Sequence, residues 1–221
     1  LQEQVLYDLN IFSHNKQKRC LFDMLNHCKT EGGKNALKDL CGFKNITREI
    51  MQNRQDAVKH ISTNVQTWQM TITTGEIYYM EQYLNSSYGF ITYSNSVQRS
   101  LHSFGKLFTD KSQYYFVLSG IKQLLDILSK IKRLYTEAYA QTMPVLLKTH
   151  LKAMQEGIEK LGIHDDIFET FRNGEPSPVL LYGTDEKLRR ERKELIGAIL
   201  INYYETEALL SLATAHNAMQ L

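Results

Sequence analysis

"FDMLNHCKTEGGKNAL", residues 22–37, holds a Gly-Gly-Lys beside the start of an apolar periodic stretch. It decides between two kinds of fold. A phosphate loop on an α/β sheet needs G-x-x-x-x-G-K-[ST] after a strand. Here Asn35 follows Gly33-Lys34, so the hydroxyl that would ligate Mg²⁺ is missing, and the first glycine would fall at Cys28. The residues before it space Leu21, Met24, Leu25 and Cys28 as a helix does. The nucleotide loop fails on all three counts. A helical reading remains, and whether the glycines serve packing is left to the rest of the chain.

The rest of the chain reads the same way. Thr30 can cap a helix running to about Leu40, with Gly42 suited to the stop. Thr47, or Asn45 before it, opens another that reaches about Ile61. Thr74 caps "GEIYYMEQYL", and residues 94–108 look helical, while "YGFITYS" reads as a loop or a helix end. "VLYDLNIF" is the one plausible short strand or extended lead-in, followed by a helix over about 16–28. Val117, Ile121, Leu124, Leu128, Ile131 and Tyr135 recur at four, three, four, three and four residues. That is a heptad seam, which asks for a partner along its length. It predicts one long helix over about 110–141. Pro144 suits a helix's first turn, and the helix that follows closes at Gly162. "NGEPSPVLLYG" reads as a loop, and Thr184 starts a second long helix to about Met219. At about 1.5 Å per residue each long helix approaches 50 Å. The fold class is therefore all-α: a multi-helix bundle with two long antiparallel helices. Residues 1–109 form a helical core part, 110–183 the first long helix and a helical insertion, and 184–221 the returning helix, as one continuous structural domain.

Composition narrows the function. The 221 residues carry a formal charge of +2 and are 43% hydrophobic. That is ample for a core and gives no global pull toward nucleic acid. The longest uncharged apolar run, "LIGAILINYY", is too short for a bilayer span of roughly 20 residues, so no membrane partner is expected. Three cysteines, with no C-x-x-C, fit free thiols in a cytoplasmic setting. His27 and Cys28 are adjacent and not at ligand spacing, so no metal site is expected. No paired-carboxylate or Cys-His arrangement points to catalysis, and "HDD" at 164–166 reads as a turn or a helix cap. The start at Leu1 and the stop inside a helix suggest a piece of a larger protein.

Three stretches together resemble the middle domain of MutS-type DNA mismatch-repair ATPases. "LFDMLNHCKTEGGKNALKDL" matches the family pattern at Leu21, Leu25, Asn26, Lys29, Thr30, Gly32, Gly33 and Leu37. "IMQNRQDAVKHI" matches at Ile50, Arg54, Asp56, Ala57 and Val58. "TEALLSLATA" looks like the family's segment before the ATPase domain, with Ser211, Leu212 and Ala213 matched and Glu207 where the family has Asp. The resemblance implies that Gly32 and Gly33 admit a close helix approach and that Arg54 and Asp56 make structural polar contacts. It makes the two long helices the family's levers. It also implies a parent that uses ATP and Mg²⁺ through an ATPase domain beyond Leu221 and forms a homodimer. No cofactor is expected in these residues themselves.

There are departures. Leu40-Cys41-Gly42-Phe43 replaces the family's turn after the glycine helix. The β-rich clamp expected between the levers is replaced by one helical segment and a Pro/Gly loop. Two basic clusters would fall near the tip of antiparallel levers: Lys130, Lys132 and Arg133, and Lys187, Arg189, Arg190, Arg192 and Lys193. They can contact phosphates of double-stranded or branched DNA without reading sequence. Against this, Glu186, Glu191 and Glu194 are interleaved at helical spacing and cancel much of the field. Relay of a conformational change between an ATPase and DNA is one expectation. A helical scaffold that binds a protein is the other. ATP turnover by these residues alone would speak for neither.

Overall fold

The computed structural model describes residues 2–13, 20–42, 46–87, 111–140, 142–174 and 176–220. Among them no strand occurs, and the class is all-α. The expected helix over 94–108, the segment "YGFITYS" and residues 16–19 of the expected second helix lie outside the described residues.

The chain divides into two compact units. Unit 1 comprises residues 1–71, 133–155 and 200–221, and unit 2 comprises residues 72–132 and 156–199.

In unit 1 the expected strand is instead a helix, α1 (Gln2–Asp8). Eight residues of mixed apolar pattern do not separate the two periods, and the helix is followed by Asn10 at a positive φ of 55°. Asn tolerates that left-handed turn. It brings Phe12 against Phe22, ring centroids 5.5 Å apart. Helix α2 (Leu21–Leu25) is shorter than expected, because the chain becomes extended at Asn26. Helix α3 (Glu31–Cys41) is capped by Thr30, whose hydroxyl accepts from Gly33 N at 2.9 Å. Gly42 closes it in an ordinary right-handed conformation. Helix α4 (Arg48–Thr63) is capped by Thr47 and buries Ala57 and Ile61. Cys20, Phe22, Leu37, Cys41 and Ala208 form one apolar cluster.

In unit 2, α5 (Thr74–Asn85) is capped one residue earlier than expected. Thr73 and Glu76 form a reciprocal capping box there, with Glu76 three residues after the cap. Helix α6 (Lys111–Ala138), which belongs to unit 2 up to residue 132 and to unit 1 beyond it, carries the heptad seam. Val117, Ile121, Leu124, Leu128 and Ile131 are all at most 1% exposed. The seam then drifts: Tyr135 is only half-buried, while Leu134 and Ala138 are buried. A straight helix at 3.6 residues per turn cannot hold a 3.5 repeat indefinitely. Helix α7 (Val145–Leu161), in unit 1 up to residue 155 and in unit 2 beyond it, ends at Gly162, which has φ 62°. Helix α8 (Asp165–Asn173) follows, with His164 as its N-cap residue.

Two expectations fail after α8. The stretch read as a loop contains helix α9 (Pro178–Glu186), with Ser177 accepting from Leu180 N and Pro178 in the first turn. Ser-Pro is an N-cap followed by a residue pre-set for the first helical position. Thr184 therefore caps nothing; it is buried inside α9. A π-helical turn covers Lys187–Glu191, and Arg192, at φ −119° and ψ 1°, interrupts the helix. The second long helix, α10 (Lys193–Met219), thus starts nine residues later than expected.

Candidate functional site

The residues that carry the resemblance converge in unit 1. Asn26 ends α2 and its Oδ1 accepts from Cys28 N, which bends the chain toward α3. At the start of α3 several backbone N–H groups have no intrahelical partner. Glu207, reaching in from α10, supplies the missing acceptors. Its Oε1 accepts from Lys29 N at 2.6 Å and from Thr30 N at 3.1 Å. Its Oε2 accepts from the Thr30 hydroxyl at 2.5 Å. One turn further on, Ser211 accepts from His27 N at 2.7 Å and donates to the Leu25 carbonyl at 2.6 Å. Two segments about 177 residues apart are thus clasped by two side chains.

The glycine pair makes room for this clasp. A Cβ on Gly33 would land on the Glu207 carboxylate, and one on Gly32 would land on the Tyr204 ring. The glycines therefore serve close approach of α10 to α3. Burial holds the Glu207 carboxyl above its usual range, only partly offset by the bonds from Thr30 and Lys29 and by the Lys29 charge. Burial also pushes the Cys28 thiol up to about 11, against the Ser211 hydrogen bond and with the Glu207 charge adding to it. Cys28 is therefore a protonated, unreactive thiol at neutral pH.

Arg54 and Asp56 part company on α4. Asp56 accepts from Gln52 at 2.9 Å, a local contact one turn away. Arg54 makes no hydrogen bond or ion pair among the described residues, and its charge helps to hold Glu205 below the usual carboxylate range. The larger cause there is the hydrogen bond with His150, whose Nε2 lies 3.1 Å from Glu205 Oε2.

The expected phosphate-contacting cations are mostly engaged with carboxylates. Lys130 is bonded to Glu76 and lies 2.8 Å from Asp126. Lys132 pairs with Asp165 at 3.0 Å, Arg133 with Glu137 at 2.8 Å and Arg190 with Glu186 at 3.6 Å. Lys187 donates to the Gly162 carbonyl at 2.8 Å. Arg192 has a buried Nε without a hydrogen-bond partner among the described residues. Lys193 is exposed.

Arg189 is the correction among these: it is 5% exposed and belongs to the interior of unit 2. It donates to both oxygens of buried Asp185, at 2.7 and 2.5 Å, and to the Ser86 carbonyl at 2.9 Å. Tyr83 donates its hydroxyl to Asp185 at 2.8 Å, and its ring centroid lies 5.2 Å beneath the guanidinium. Burial and the Asp185 charge raise the Tyr83 pKa well above the usual value. A planar fork matched to a carboxylate and stacked on an aromatic face suits a buried cation. The sequence placed Arg189 among surface charges because its neighbours Lys187, Arg190 and Arg192 are basic. Asp185 four residues earlier was the available signal for a partner.

Among the described residues no group of three His, Cys, Asp or Glu side chains is placed to hold a metal ion. Nor is any helix there long and apolar enough to cross a membrane. Comparison with known protein families, curated proteins and solved structures finds no match.

Proposed function

We propose that this chain is the helical core-and-lever segment of a MutS-type protein, relaying conformational change between an ATPase domain and DNA. The observation that carries this reading is the Glu207 clasp. The Thr30-Gly32-Gly33 stretch and the "TEALLSLATA" stretch are the two ends of the resemblance, and they meet through Glu207, Ser211 and the bare glycine backbone. That the separate parts of the resemblance share one contact is what supports the reading. Catalysis has no place in this reading; packed helices with defined ends carry displacement. ATP and Mg²⁺ belong to the parent's ATPase domain, and the parent is a homodimer.

DNA contact would come from the exposed cations Lys132, Arg133, Arg190 and Lys193, held to phosphates and not to base edges. The test is fluorescence anisotropy of a labelled duplex and a labelled four-way junction against this protein across a salt series. The expected result is binding that weakens steeply with salt, with Lys193→Glu and Arg190→Glu each lowering the log–log slope by about 1. Absence of binding at low salt would overturn DNA contact by these residues.

A second reading is favoured by a specific observation: Lys130, Lys132, Arg133 and Arg190 already face carboxylates. Their field is largely spent within the protein. On that reading the segment is a protein-binding scaffold, and the salt series gives a flat, weak response.

A further inference from the structure

A cavity of about 700 Å³ opens in unit 1 among α3, α4, α7 and α10. Its volume lies in the range of small-molecule sites, which are apolar in the main with a few placed polar groups. Leu146, Ile201 and Leu209 supply apolar wall, and Tyr204 an aromatic one. The polar groups come from Arg54, Asn53, Asn35 and the His150–Glu205 pair, with Asp39 also on the lining.

Charge satisfaction within this lining is uneven. Glu205 has His150 Nε2 at 3.1 Å and also feels the Arg54 charge, so it is compensated from two sides. Asp39 is an exposed side chain. Arg54 is half-buried, and its five N–H donors make no hydrogen bond or ion pair among the described residues. A guanidinium presents a fork that fits a carboxylate or phosphate oxygen pair. A half-buried guanidinium beside an apolar cavity is a site for an anionic head with an apolar body.

We propose that this cavity binds a small amphiphilic organic anion, its acidic head on Arg54 and its apolar body against Leu146, Ile201 and Tyr204. Arg54 is then a ligand-binding residue as well as part of the α4 pattern. An apolar cation is disfavoured, because Glu205 is already compensated by His150 and by the Arg54 charge. The inference stands apart from the proposed relay, since it uses neither DNA nor the basic clusters.

The experiment is a methyl-resolved NMR titration of the protein with 2-naphthoate and, separately, with the neutral isostere 2-naphthylmethanol. Saturable single-site shifts at the Ile50 and Ile201 methyls are expected, with naphthoate binding tighter by about tenfold or more, as a charge-assisted fork implies. Arg54→Met keeps the apolar stem and should bring the two probes to equal affinity. Ile201 is 57% exposed, so Ile201→Trp tests the site without touching the interior, and it should weaken both probes. Equal affinity of the two probes for the unaltered protein would overturn the proposal. So would shifts centred elsewhere, no binding of either probe, or a naphthoate preference that survives Arg54→Met.

Discussion

Each unit has a buried carboxylate at its centre, and the two are satisfied in opposite ways. Glu207 in unit 1 accepts its hydrogen bonds from neutral donors, two backbone N–H groups and a hydroxyl, with the Lys29 charge also acting on it. Asp185 in unit 2 faces a full positive charge, the Arg189 guanidinium, with Tyr83 completing its shell. Neutral donors make a clasp between distant segments, and their loss leaves polar groups without water. An ion pair in the interior is different. Its assembled form is close to break-even against apolar packing, but either half alone is an unpaired buried charge. Unit 2 should therefore be the more sensitive to a single deletion at its centre.

Arg189→Met should cost unit 2 the most. It strands Asp185 and the Ser86 carbonyl, and denaturant unfolding should show a loss of about 3–5 kcal/mol. Removing Asp185 as well, as Asn, should recover part of that loss. A surface arginine would cost almost nothing, so a loss below about 1 kcal/mol would place Arg189 back among the exposed cations.

In unit 1, Glu207→Ala leaves Lys29 N, Thr30 N and the Thr30 hydroxyl without their acceptor. A loss on the order of 3 kcal/mol follows, since each unsatisfied buried donor costs about 1–3 kcal/mol. Gly33→Ala should act through the same contact, because its methyl displaces the carboxylate. A cost of about 1–3 kcal/mol is expected, the range for overpacking a well-filled site.

The pH response sharpens the contrast without large energies. Burial raises the Glu207 pKa in the folded state. Its contribution to stability is therefore fully present below the unfolded carboxyl value and is lost as pH rises through the folded one. Glu76 in unit 2 behaves oppositely. Burial pushes its pKa up, but the bonds from Lys130 and Thr73 outweigh that and hold it low. Its contribution is present above the unfolded value and is lost as pH falls through the folded one. Unfolding free energies of Glu207→Gln and Glu76→Gln across mildly acidic pH should diverge from the parent protein with opposite slopes. The smallest expected effect is Lys132→Ala, whose ion pair with Asp165 is solvent-exposed and should be worth less than about 1 kcal/mol.

What could be read from the sequence follows the range of each interaction. Thr30 and Thr47 start their helices and Gly42 and Gly162 end theirs, each within one turn of its own position and where the local pattern places it. The seam from Val117 to Ile131 is equally local and is buried throughout. Ser177-Pro178 was just as local a signal, but the surrounding Gly and Pro read as loop. The π turn over Lys187–Glu191 left no mark in the pattern. Its geometry keeps Arg189 inside, whereas an uninterrupted helix from Thr184 would have been expected to present the whole basic run as one stripe. Close approach at Gly32 and Gly33 was an expectation, and the structure shows the contacts with Tyr204 and Glu207 there. The carboxylate that explains them was visible only as a Glu standing where an Asp was expected. The cavity that Arg54 lines has no mark in the sequence, because its walls come from four separate helices.

The central claim is that one buried carboxylate closes two segments far apart in the chain, and a double-mutant cycle between Thr30→Val and Glu207→Gln measures it directly. A coupling energy above about 1 kcal/mol is predicted for the pair, while additive effects within about 0.3 kcal/mol would contradict the clasp.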